Sequence, residues 1–369
     1  MTSTQDSSKS DSSRPCVKDV ESLAGLFHPH AIEVQDFSYY ALILDVRSQA
    51  EFDDDHIPGA VRLSIADYPV VTGDGKLMSA ELPQGTNADV FLPLELAMLL
   101  APVKLDQAIL VYCGRGGRDS LPVARAMRRR GWTVDVLPGG WINYRRWVQA
   151  GLESLPRLIA FRVVSASLGG EMERLLAGLS RAGQQVLDLV AIAGWRVGSF
   201  IAAASAQPTQ ARFESRLLQA LRQIDPRRTL WVVDADQQLG GVRLPGALVD
   251  ALAVAPTVAV ACPLAERLAC WREDEPLLNG PVNEILQIAA TASPSMGLPV
   301  FDEAMGQSDV ASLLARLLAD KDERWHVRAG TRGGQRSDLP ALVIPSLAPD
   351  RLLEAIDGWL PQVQPPVRS

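Results

Sequence analysis

A strand–helix–strand unit between residues 108 and 137 limits most strongly how this chain can fold. The apolar run AILVYC (108–113) is typical of a buried strand, and TVDVL (133–137) is typical of a second one. Between them, SLPVARAMRRRG has a proline near its start and a glycine at its end, where helices usually carry these residues. Strands joined by a helix pair in parallel, so the unit predicts an α/β fold with a parallel sheet.

The alternation of apolar runs and amphipathic stretches extends over much of the chain. An earlier strand is predicted at 41–46, and a further apolar run lies at 340–346. The second half predicts strands at 158–167, 184–193, 229–236 and 256–262, and helices at 171–183, 211–223 and 244–253. A length of 369 residues suits two domains. We therefore predict a disordered polar tail over 1–20, a parallel-sheet domain over 21–154, and a second α/β domain over 155–369 with a helical C-terminal part.

Charge and cysteine usage narrow the class of protein. The formal net charge of −7 gives no overall basic footprint for nucleic acid, although a local basic surface remains open. No run of 18 apolar residues and no signal segment appears, which predicts no membrane partner. The four cysteines form no CxxC pair, and His28 and His30 lack a third ligand, so we predict reduced thiols, a cytoplasmic location and no metal site. The oligomeric state stays open.

The loop that follows the strand at 108–113 is the first candidate site. In open parallel sheets, ligands bind beyond the carboxyl ends of the strands, and Cys113 stands at such an end. A glycine-rich loop leading into a helix can turn several N–H groups toward an anion, which favours a thiolate. We therefore predict that Cys113 is a nucleophile carrying a sulfur or selenium atom, within a loop formed by Gly114, Arg115, Gly116, Gly117 and Arg118.

Two other interpretations of Cys113 compete with this one. Free cysteine is often a buried, inert residue, and a tight turn beside it needs no chemistry. Tyrosine phosphatases also use a cysteine loop, with arginine six positions after the cysteine. Asp119 occupies that position here and would repel phosphate, so the shorter loop favours a single chalcogen atom.

The first half of the chain resembles the rhodanese domain. The segments DVRSQAEFDDDHIPGAVRL (45–63), CGRGGR (113–118) and LPGGWINYRRW (137–147) carry the resemblance, which covers roughly residues 35–150. It implies that Cys113 is the chalcogen-carrying nucleophile and that Arg115 and Arg118 shape the loop or bind the donor. Scaffold roles are expected for Asp45, Arg47 and His56.

The second half resembles the C-terminal domain of bacterial tRNA 2-selenouridine synthase. The segments GQQVLDLVAIAGWRVGSF (183–200), QPTQARFESRLLQAL (207–221) and WVVDADQQLGGVRLP (231–245) carry this resemblance. That family joins a rhodanese domain to a P-loop domain in this order. The resemblance implies replacement of sulfur by selenium in wobble 2-thiouridine of tRNA, through a geranylated intermediate. The implied partners are tRNA and a donor, either selenophosphate or a sulfur compound.

The phosphate loop departs from the family pattern, which is approximately G-x-T-G-x-G-K-T. The corresponding residues here are Ser167, Gly169, Gly170, Glu171 and Met172. An acid replaces the lysine, and a methionine replaces the hydroxyl that holds magnesium. Two unit charges about 4 Å apart interact by about 4 kcal/mol at an effective dielectric near 20, so exchanging attraction for repulsion removes phosphate binding. We predict a degenerate P-loop with no tightly bound nucleotide or other cofactor.

Other polar positions of the family pattern are also altered in the second half. Its D-L-E ends in Val190, and its W-V-E-D-E strand carries Val233 and Ala235 in place of acids. Arg196 and Arg212 are candidates for tRNA phosphate contacts, with solvated helix-end arginines as the alternative. Two further functions therefore compete with the synthase reaction. One is a divergent rhodanese-type sulfurtransferase whose second domain is a scaffold or docking surface, and the other is a binding protein in which Cys113 is unused.

Overall fold

The protein divides into two compact units, Met1–Val148 and Gln149–Ser369. The structure is a computed structural model. It describes residues 37–63, 70–71, 77–78, 94–115, 117–165, 171–194, 207–235, 237–274 and 339–363. The tail predicted over 1–20 and most of the predicted helical region beyond 275 therefore lie outside the described residues.

A four-stranded parallel sheet forms the centre of the first unit, with the strand order β2-β1-β5-β6. Its strands are β1 (Leu42–Asp45), β2 (Val61–Arg62), β5 (Ala108–Tyr112) and β6 (Thr133–Val136). A separate antiparallel pair is formed by β3 (Val70–Val71) and β4 (Leu77–Met78). Every residue of β5 is buried, as expected for a strand of a parallel sheet that is covered on both faces.

In the described part of the first unit, four helices accompany this sheet. They are α1 (Gln49–Asp54), α2 (Leu94–Leu100), α3 (Ser120–Arg129) and α4 (Gly140–Ser154), preceded by a 3₁₀ turn at Phe37–Tyr39. The helix predicted between the two strands is therefore confirmed as α3. Gly131, with a φ of +91°, ends it, and the N–H of Trp132 donates back to the carbonyl of Met127.

A five-stranded parallel sheet forms the centre of the second unit, with the strand order β13-β12-β7-β9-β8. Its strands are β7 (Phe161–Ser165), β8 (Gln185–Leu187), β9 (Leu230–Val233), β12 (Thr257–Ala261) and β13 (Leu342–Val343). A hairpin of β10 (Gln238–Leu239) and β11 (Val242–Arg243) follows β9. The predicted α/β class, with a parallel sheet in each half, is confirmed.

Among the described residues, one 3₁₀ turn and six α-helices belong to the second unit in addition to the end of α4. They are a 3₁₀ turn at Leu155–Leu158 and the α-helices α5 (Glu171–Arg181), α6 (Leu189–Ile192), α7 (Gln210–Arg222), α8 (Gly246–Ala253), α9 (Leu264–Asp274) and α10 (Pro349–Val363). The C-terminal helix α10 packs against α5, where Gly178 leaves room for Ile356. The C-terminal region that the structure describes is thus helical, as predicted.

The predicted strand at 184–193 is wrong in its second half. β8 ends at Leu187, and residues 189–192 form the short helix α6. The reason is local, because the side chain of Asp188 accepts a hydrogen bond of 2.8 Å from the N–H of Ala191 and caps the helix. An apolar run of this length does not distinguish a strand from a strand followed by a helical turn.

Candidate active site

Cys113 is the residue that immediately follows β5, between the sheet and helix α3. Its side chain is 1 % exposed and packs in the apolar cluster that includes Val46, Val111 and Val136. Two polar contacts reach the sulfur. The Ser120 hydroxyl donates to Sγ over 3.4 Å, and the thiol donates to the carbonyl oxygen of Arg115 over 3.2 Å.

The surroundings of the sulfur differ from the expected cradle of N–H groups. Among the described residues of the loop, no backbone N–H donates to Sγ. The Gly117 carbonyl already accepts from the N–H of Leu121 over 2.9 Å, so helical hydrogen bonding begins inside the loop. A side-chain hydroxyl therefore takes the place that we expected backbone amides to fill. Gly116 lies outside the described residues, and the amide cradle stays a prediction there.

Two consecutive glycines hold the other side of the Cys113 backbone. Gly139 and Gly140 have φ values of +68° and +59°, which favour glycine. A Cβ on Gly140 would lie 2.3 Å from the carbonyl oxygen of Cys113, which is a backbone atom that cannot move aside. The next residue, Trp141, donates its N–H to that same carbonyl over 2.8 Å. The start of α4 is thus fixed against the first residue of the cysteine loop.

A buried ion pair lies beneath this contact. Arg47 donates from Nε to Asp45 over 3.0 Å and from Nη2 over 2.6 Å, and both side chains are almost fully buried. Arg47 Nη2 also donates to the carbonyl of Asp55, and its guanidinium lies 4.0 Å from the centroid of the Trp141 ring. Burial opposes the charge of Arg47, but the hydrogen bonds and charge of Asp45 outweigh it and raise the pKa of Arg47.

Tyr112 completes the buried network from the strand itself. Its hydroxyl donates to Asp45 over 2.7 Å and accepts from the N–H of Ile57 over 3.2 Å. Burial, with the Asp45 carboxylate adding to it, raises the pKa of Tyr112 well above its usual value. The network ties β1, β5 and the turn before β2 together directly beneath Cys113, so Asp45 and Arg47 stand where a scaffold role requires them.

His56 and Glu51 belong to the short helix α1 and its end. The His56 ring stacks on Phe52 with 3.9 Å between ring centroids, and Nδ1 lies 2.7 Å from the Phe52 carbonyl oxygen. Glu51 forms a capping box with Ser48, whose hydrogen bonds lower the pKa of Glu51. The structure gives these two side chains local partners within their own helix.

The charged side chains in and just after the cysteine loop face solvent. Arg115, Arg118 and Asp119 are exposed, whereas Gly114 is half-buried and Gly117 is buried. The arginines are thus available to a donor approaching from outside, and the sulfur beneath them is not directly open to it.

The phosphate-loop region of the second unit is only partly described. Ser167, Gly169, Gly170 and Arg196 lie outside the described residues, and Glu171 is the first residue of α5. Met172, which stands where the family has its magnesium-binding hydroxyl, is buried in the apolar core of this unit. Val233 is buried in the same core, at a position where the family has an acid. Arg212 is half-buried in the first turn of α7, after its cap Thr209.

The sequence analysis gave no role to Ser120 or Tyr112. It used Gly140 and Trp141 only as part of a segment that carries the rhodanese resemblance. In the second unit, it gave no role to Gln207 or Gln210. A tyrosine at the end of a fully buried strand was one available signal, because its hydroxyl needs a partner. Gln207 and Gln210 each hold the β10–β11 hairpin through their amide groups, with bonds to Gly241 and Arg243 respectively.

Comparison with known protein families agrees with this arrangement. Residues 31–146 match the rhodanese-like domain, and residues 160–291 match the tRNA 2-selenouridine synthase AAA domain. The chain therefore combines a rhodanese-like domain with a tRNA 2-selenouridine synthase AAA domain. Both resemblances inferred from the sequence are confirmed, in the order predicted.

Individual relatives extend the match across both domains. The tRNA 2-selenouridine synthase of Salmonella paratyphi B is 28 % identical over 247 residues, which cover 63 % of this chain and 65 % of that protein. The enzyme of the same name from Nitrosomonas europaea is 24 % identical over 267 residues, or 68 % of each chain. The one from Salmonella arizonae is 28 % identical over 258 residues. The matched region thus spans about two thirds of the length of these relatives.

In the parts of the chain that the structure describes, no three side chains of His, Cys, Asp or Glu are grouped to hold a metal ion. None of the described helices is long and apolar enough to cross a membrane.

Proposed function

We propose that this protein transfers selenium or sulfur, with tRNA as the acceptor, and that Cys113 is the nucleophile that carries the chalcogen. The observation that supports this most directly is the domain order. A rhodanese-like domain with a cysteine at the end of a parallel strand precedes the AAA domain of tRNA 2-selenouridine synthases. The relatives are named tRNA 2-selenouridine synthases, which supports 2-selenouridine in tRNA as the product. The proposed reaction, replacement of sulfur by selenium in wobble 2-thiouridine, is the one that the sequence resemblance implies.

The transfer of a chalcogen atom from a donor to Cys113 fits a donor whose terminal sulfur or selenium is already at the oxidation level of sulfane sulfur. We call this transfer the loading step. The Cys113 thiolate attacks the terminal sulfur of thiosulfate, an S–S bond forms on Cys113, and the bond to the sulfite group breaks. Sulfite leaves with the electron pair, and a persulfide anion remains on the cysteine. Selenosulfate reacts in the same way and leaves a selenium anion bound to Sγ. Attack by cyanide then breaks the new bond, releases thiocyanate or selenocyanate, and returns the thiolate.

Selenophosphate is a donor of a different kind. Its selenium is at the selenide level, so forming an S–Se bond on Cys113 from it requires an oxidant. Selenophosphate therefore fits a direct attack by its selenium on the tRNA carbon that carries the geranylated sulfur. The C–Se bond forms, the C–S bond breaks, the geranyl thiolate leaves with the electron pair, and hydrolysis of the Se–P bond then releases phosphate. In that route Cys113 takes no covalent part, and a Cys113 variant retains tRNA selenation from selenophosphate. Thiosulfate as the donor thus tests a covalent role of Cys113, and selenophosphate as the donor tests a route in which Cys113 forms no bond to the chalcogen.

A second candidate function is a sulfurtransferase whose AAA domain is a scaffold. The packing of Met172 and Val233 supports it, because both side chains lie in the apolar core at positions where the family carries polar groups. A magnesium–phosphate group needs oxygen ligands, and these two positions supply none. We therefore propose that the second unit binds no nucleotide or pyrophosphate through the usual P-loop contacts.

The cysteine role is tested by sulfur transfer from thiosulfate to cyanide. Wild type is expected to form thiocyanate, and Cys113→Ser to form none above background. Cys270→Ser is the matched control, since Cys270 is a buried thiol in the other unit. Equal turnover by wild type and Cys113→Ser would remove Cys113 from the mechanism.

The tRNA role is tested by filter binding of 2-thiouridine-containing tRNA during a salt titration. The affinity is expected to fall as salt rises, because cationic side chains that contact phosphates release counterions. An absence of binding at low salt would leave the scaffold alternative. Thermal melting with Mg-ATP or geranyl diphosphate tests the second unit, since a ligand at 100-fold its dissociation constant adds about 2.7 kcal/mol. We expect no shift.

A further inference from the structure

Ser120 is the polar side chain that lies against the sulfur of Cys113. Its side chain is fully buried, and its hydroxyl donates to Sγ over 3.4 Å. Ser120 is the first residue of α3, a position where serine often bonds the helix backbone instead. Within the described part of the chain, the hydroxyl has no other hydrogen-bond partner.

This arrangement is costly while the sulfur is a neutral thiol. A thiol sulfur is a weak acceptor, and a buried hydroxyl without a good acceptor costs on the order of 1–3 kcal/mol. A thiolate is a much better acceptor, and hydrogen bonds to an ionised group are about twice as strong as neutral ones. The hydroxyl therefore fits the ionised state of Cys113 better than the neutral thiol.

The start of α3 acts in the same direction. Helix α3 has ten residues, and its N-terminal end carries a partial positive charge next to the sulfur. Asp119, the residue before α3, makes no side-chain cap on the helix. The Ser120 hydroxyl and the helix end thus both lie beside Sγ, where negative charge develops.

The second polar contact of the sulfur has the opposite preference. The Arg115 carbonyl oxygen, 3.2 Å from Sγ, accepts the thiol proton and would repel a thiolate. When Cys113 ionises, this contact is lost, and the Ser120 contact becomes stronger. Of the two described hydrogen bonds of the sulfur, the one from the Ser120 hydroxyl is thus the one that remains when Cys113 loses its proton.

We propose that Ser120 is a catalytic residue that stabilises the negative charge on Cys113 Sγ by a hydrogen bond. The inference rests on the proposed role of Cys113 and adds a residue to it. During loading, the charge moves from Sγ to the outer chalcogen atom as sulfite leaves. When a nucleophilic acceptor such as cyanide attacks the outer atom, the S–S or S–Se bond breaks, Sγ leaves with the electron pair, and the charge returns to it beside Ser120.

The test measures ionisation of Cys113 directly, without any donor or tRNA. Thiolate absorbance near 240 nm is followed against pH for the full-length protein, and the same variant with Cys113→Ser is subtracted. Ser120→Ala is expected to raise the midpoint of this absorbance change by about one pH unit. At a fixed pH below the midpoint, that shift corresponds to about a tenfold loss of thiolate. Ser120→Thr keeps a hydroxyl and is expected to stay near wild type, whereas the similarly shaped Ser120→Val is expected to follow Ser120→Ala.

Ser215→Ala is the matched control, since Ser215 is a buried helical serine in the other unit. It is expected to leave the midpoint unchanged. Equal midpoints for folded Ser120→Thr and Ser120→Val would overturn the inference. If the Ser120 variants differ from one another as expected but wild type transfers no sulfur from thiosulfate, the proposed function fails and the role of Ser120 stands. The converse result, sulfur transfer with no difference between the two variants, removes Ser120 alone.

Discussion

The carbonyl oxygen of Cys113 accepts a hydrogen bond of 2.8 Å from the backbone N–H of Trp141. The two residues are brought together because β5 and β6 are neighbouring strands, so the loops after them meet at one edge of the sheet. The Trp141 ring then packs on Arg47, which pairs with Asp45. The backbone of the nucleophile is thus fixed from the side, while its side chain contacts Ser120.

Gly140→Ala is expected to weaken this edge of the sheet. The added Cβ would meet the Cys113 carbonyl oxygen at 2.3 Å, in a backbone conformation that already disfavours a side chain. We expect a loss of roughly 1–3 kcal/mol in the free energy of unfolding, measured by urea denaturation, and lower sulfur transfer. Gly59→Ala is the control, because Gly59 has a φ of +85° and open space around it. Equal losses in both variants would show that backbone strain alone, and not the contact with Cys113, sets the cost.

Tyr112→Phe is expected to destabilise the first unit by about 1–3 kcal/mol, because it leaves the buried Ile57 N–H without its acceptor and removes one of the hydrogen bonds to the Asp45 carboxylate. The variant also changes the response to alkali. The pKa of Tyr112 is raised in the folded protein, so its stabilisation is complete below the unfolded value near 10. That stabilisation is lost as the pH rises from there toward the folded value.

The pH dependence of urea unfolding between pH 8 and 11 measures this effect. The loss of stability above pH 10 is expected to be steeper in wild type than in Tyr112→Phe. Tyr39→Phe is the control, since Tyr39 is exposed, and it is expected to keep the wild-type slope. Identical alkaline slopes for wild type and Tyr112→Phe would contradict the prediction.

Glu266→Gln is expected to make the stability of the second unit depend less steeply on pH in the acid range. Glu266 accepts from the N–H of Leu347 over 3.0 Å and from the Ser346 hydroxyl over 2.9 Å. These bonds, the first being the larger cause, lower the pKa of Glu266 in the folded protein. The stabilisation is therefore present above the unfolded value near 4.5 and is lost as the pH falls below it. Thermal melting from pH 3 to 7 checks this, with Glu354→Gln as an exposed control on α10.

Gln207→Ala is expected to loosen the β10–β11 hairpin while leaving the sheet intact. The Gln207 side chain donates to the carbonyls of Ala193 and Leu239 and accepts from the N–H of Gly241 over 2.7 Å. Hydrogen exchange at Gly241 is expected to accelerate about fivefold or more, equivalent to the loss of about 1 kcal/mol of local protection. Gln362→Ala removes a single exposed contact on α10 and serves as the control. Unchanged exchange at Gly241 would mean that the pairing of β10 with β11 and the bonds of Gln210 hold the hairpin without Gln207.

The sequence predicted the parts of the fold whose signals are local. Strand β5 was visible as a continuous apolar run, and α3 was bounded by Pro122 and Gly131, so both were predicted within a residue or two. Helix α6 was missed, because the capping bond of Asp188 operates within an apolar run that also suits a strand. The position of Cys113 at a strand end followed from the same local signals.

The partners of Cys113 could not be predicted in this way. Ser120 lies seven residues further along the chain, yet its contact with Sγ depends on how the intervening loop turns. Tyr112 and Asp45 are 67 residues apart and meet only because β1 and β5 pair in a register that places them side by side. Gly140 is recognisable as part of a double-glycine turn, but its closeness to the Cys113 carbonyl depends on the pairing of β5 with β6.

The sequence by itself determined the longer strands and helices of each half, the α/β class of both halves and the placement of one thiol after a buried strand. Each of these depends on the spacing of apolar residues over fewer than about 15 positions, and that spacing is legible in the chain. Only the tertiary structure decided that the Ser120 hydroxyl donates to the Cys113 sulfur. Among the described residues of the loop, no backbone N–H does so. Such a contact depends on strand register and on the path of a loop. These bring two groups together in space, and the number of residues between the groups does not reveal how close they lie.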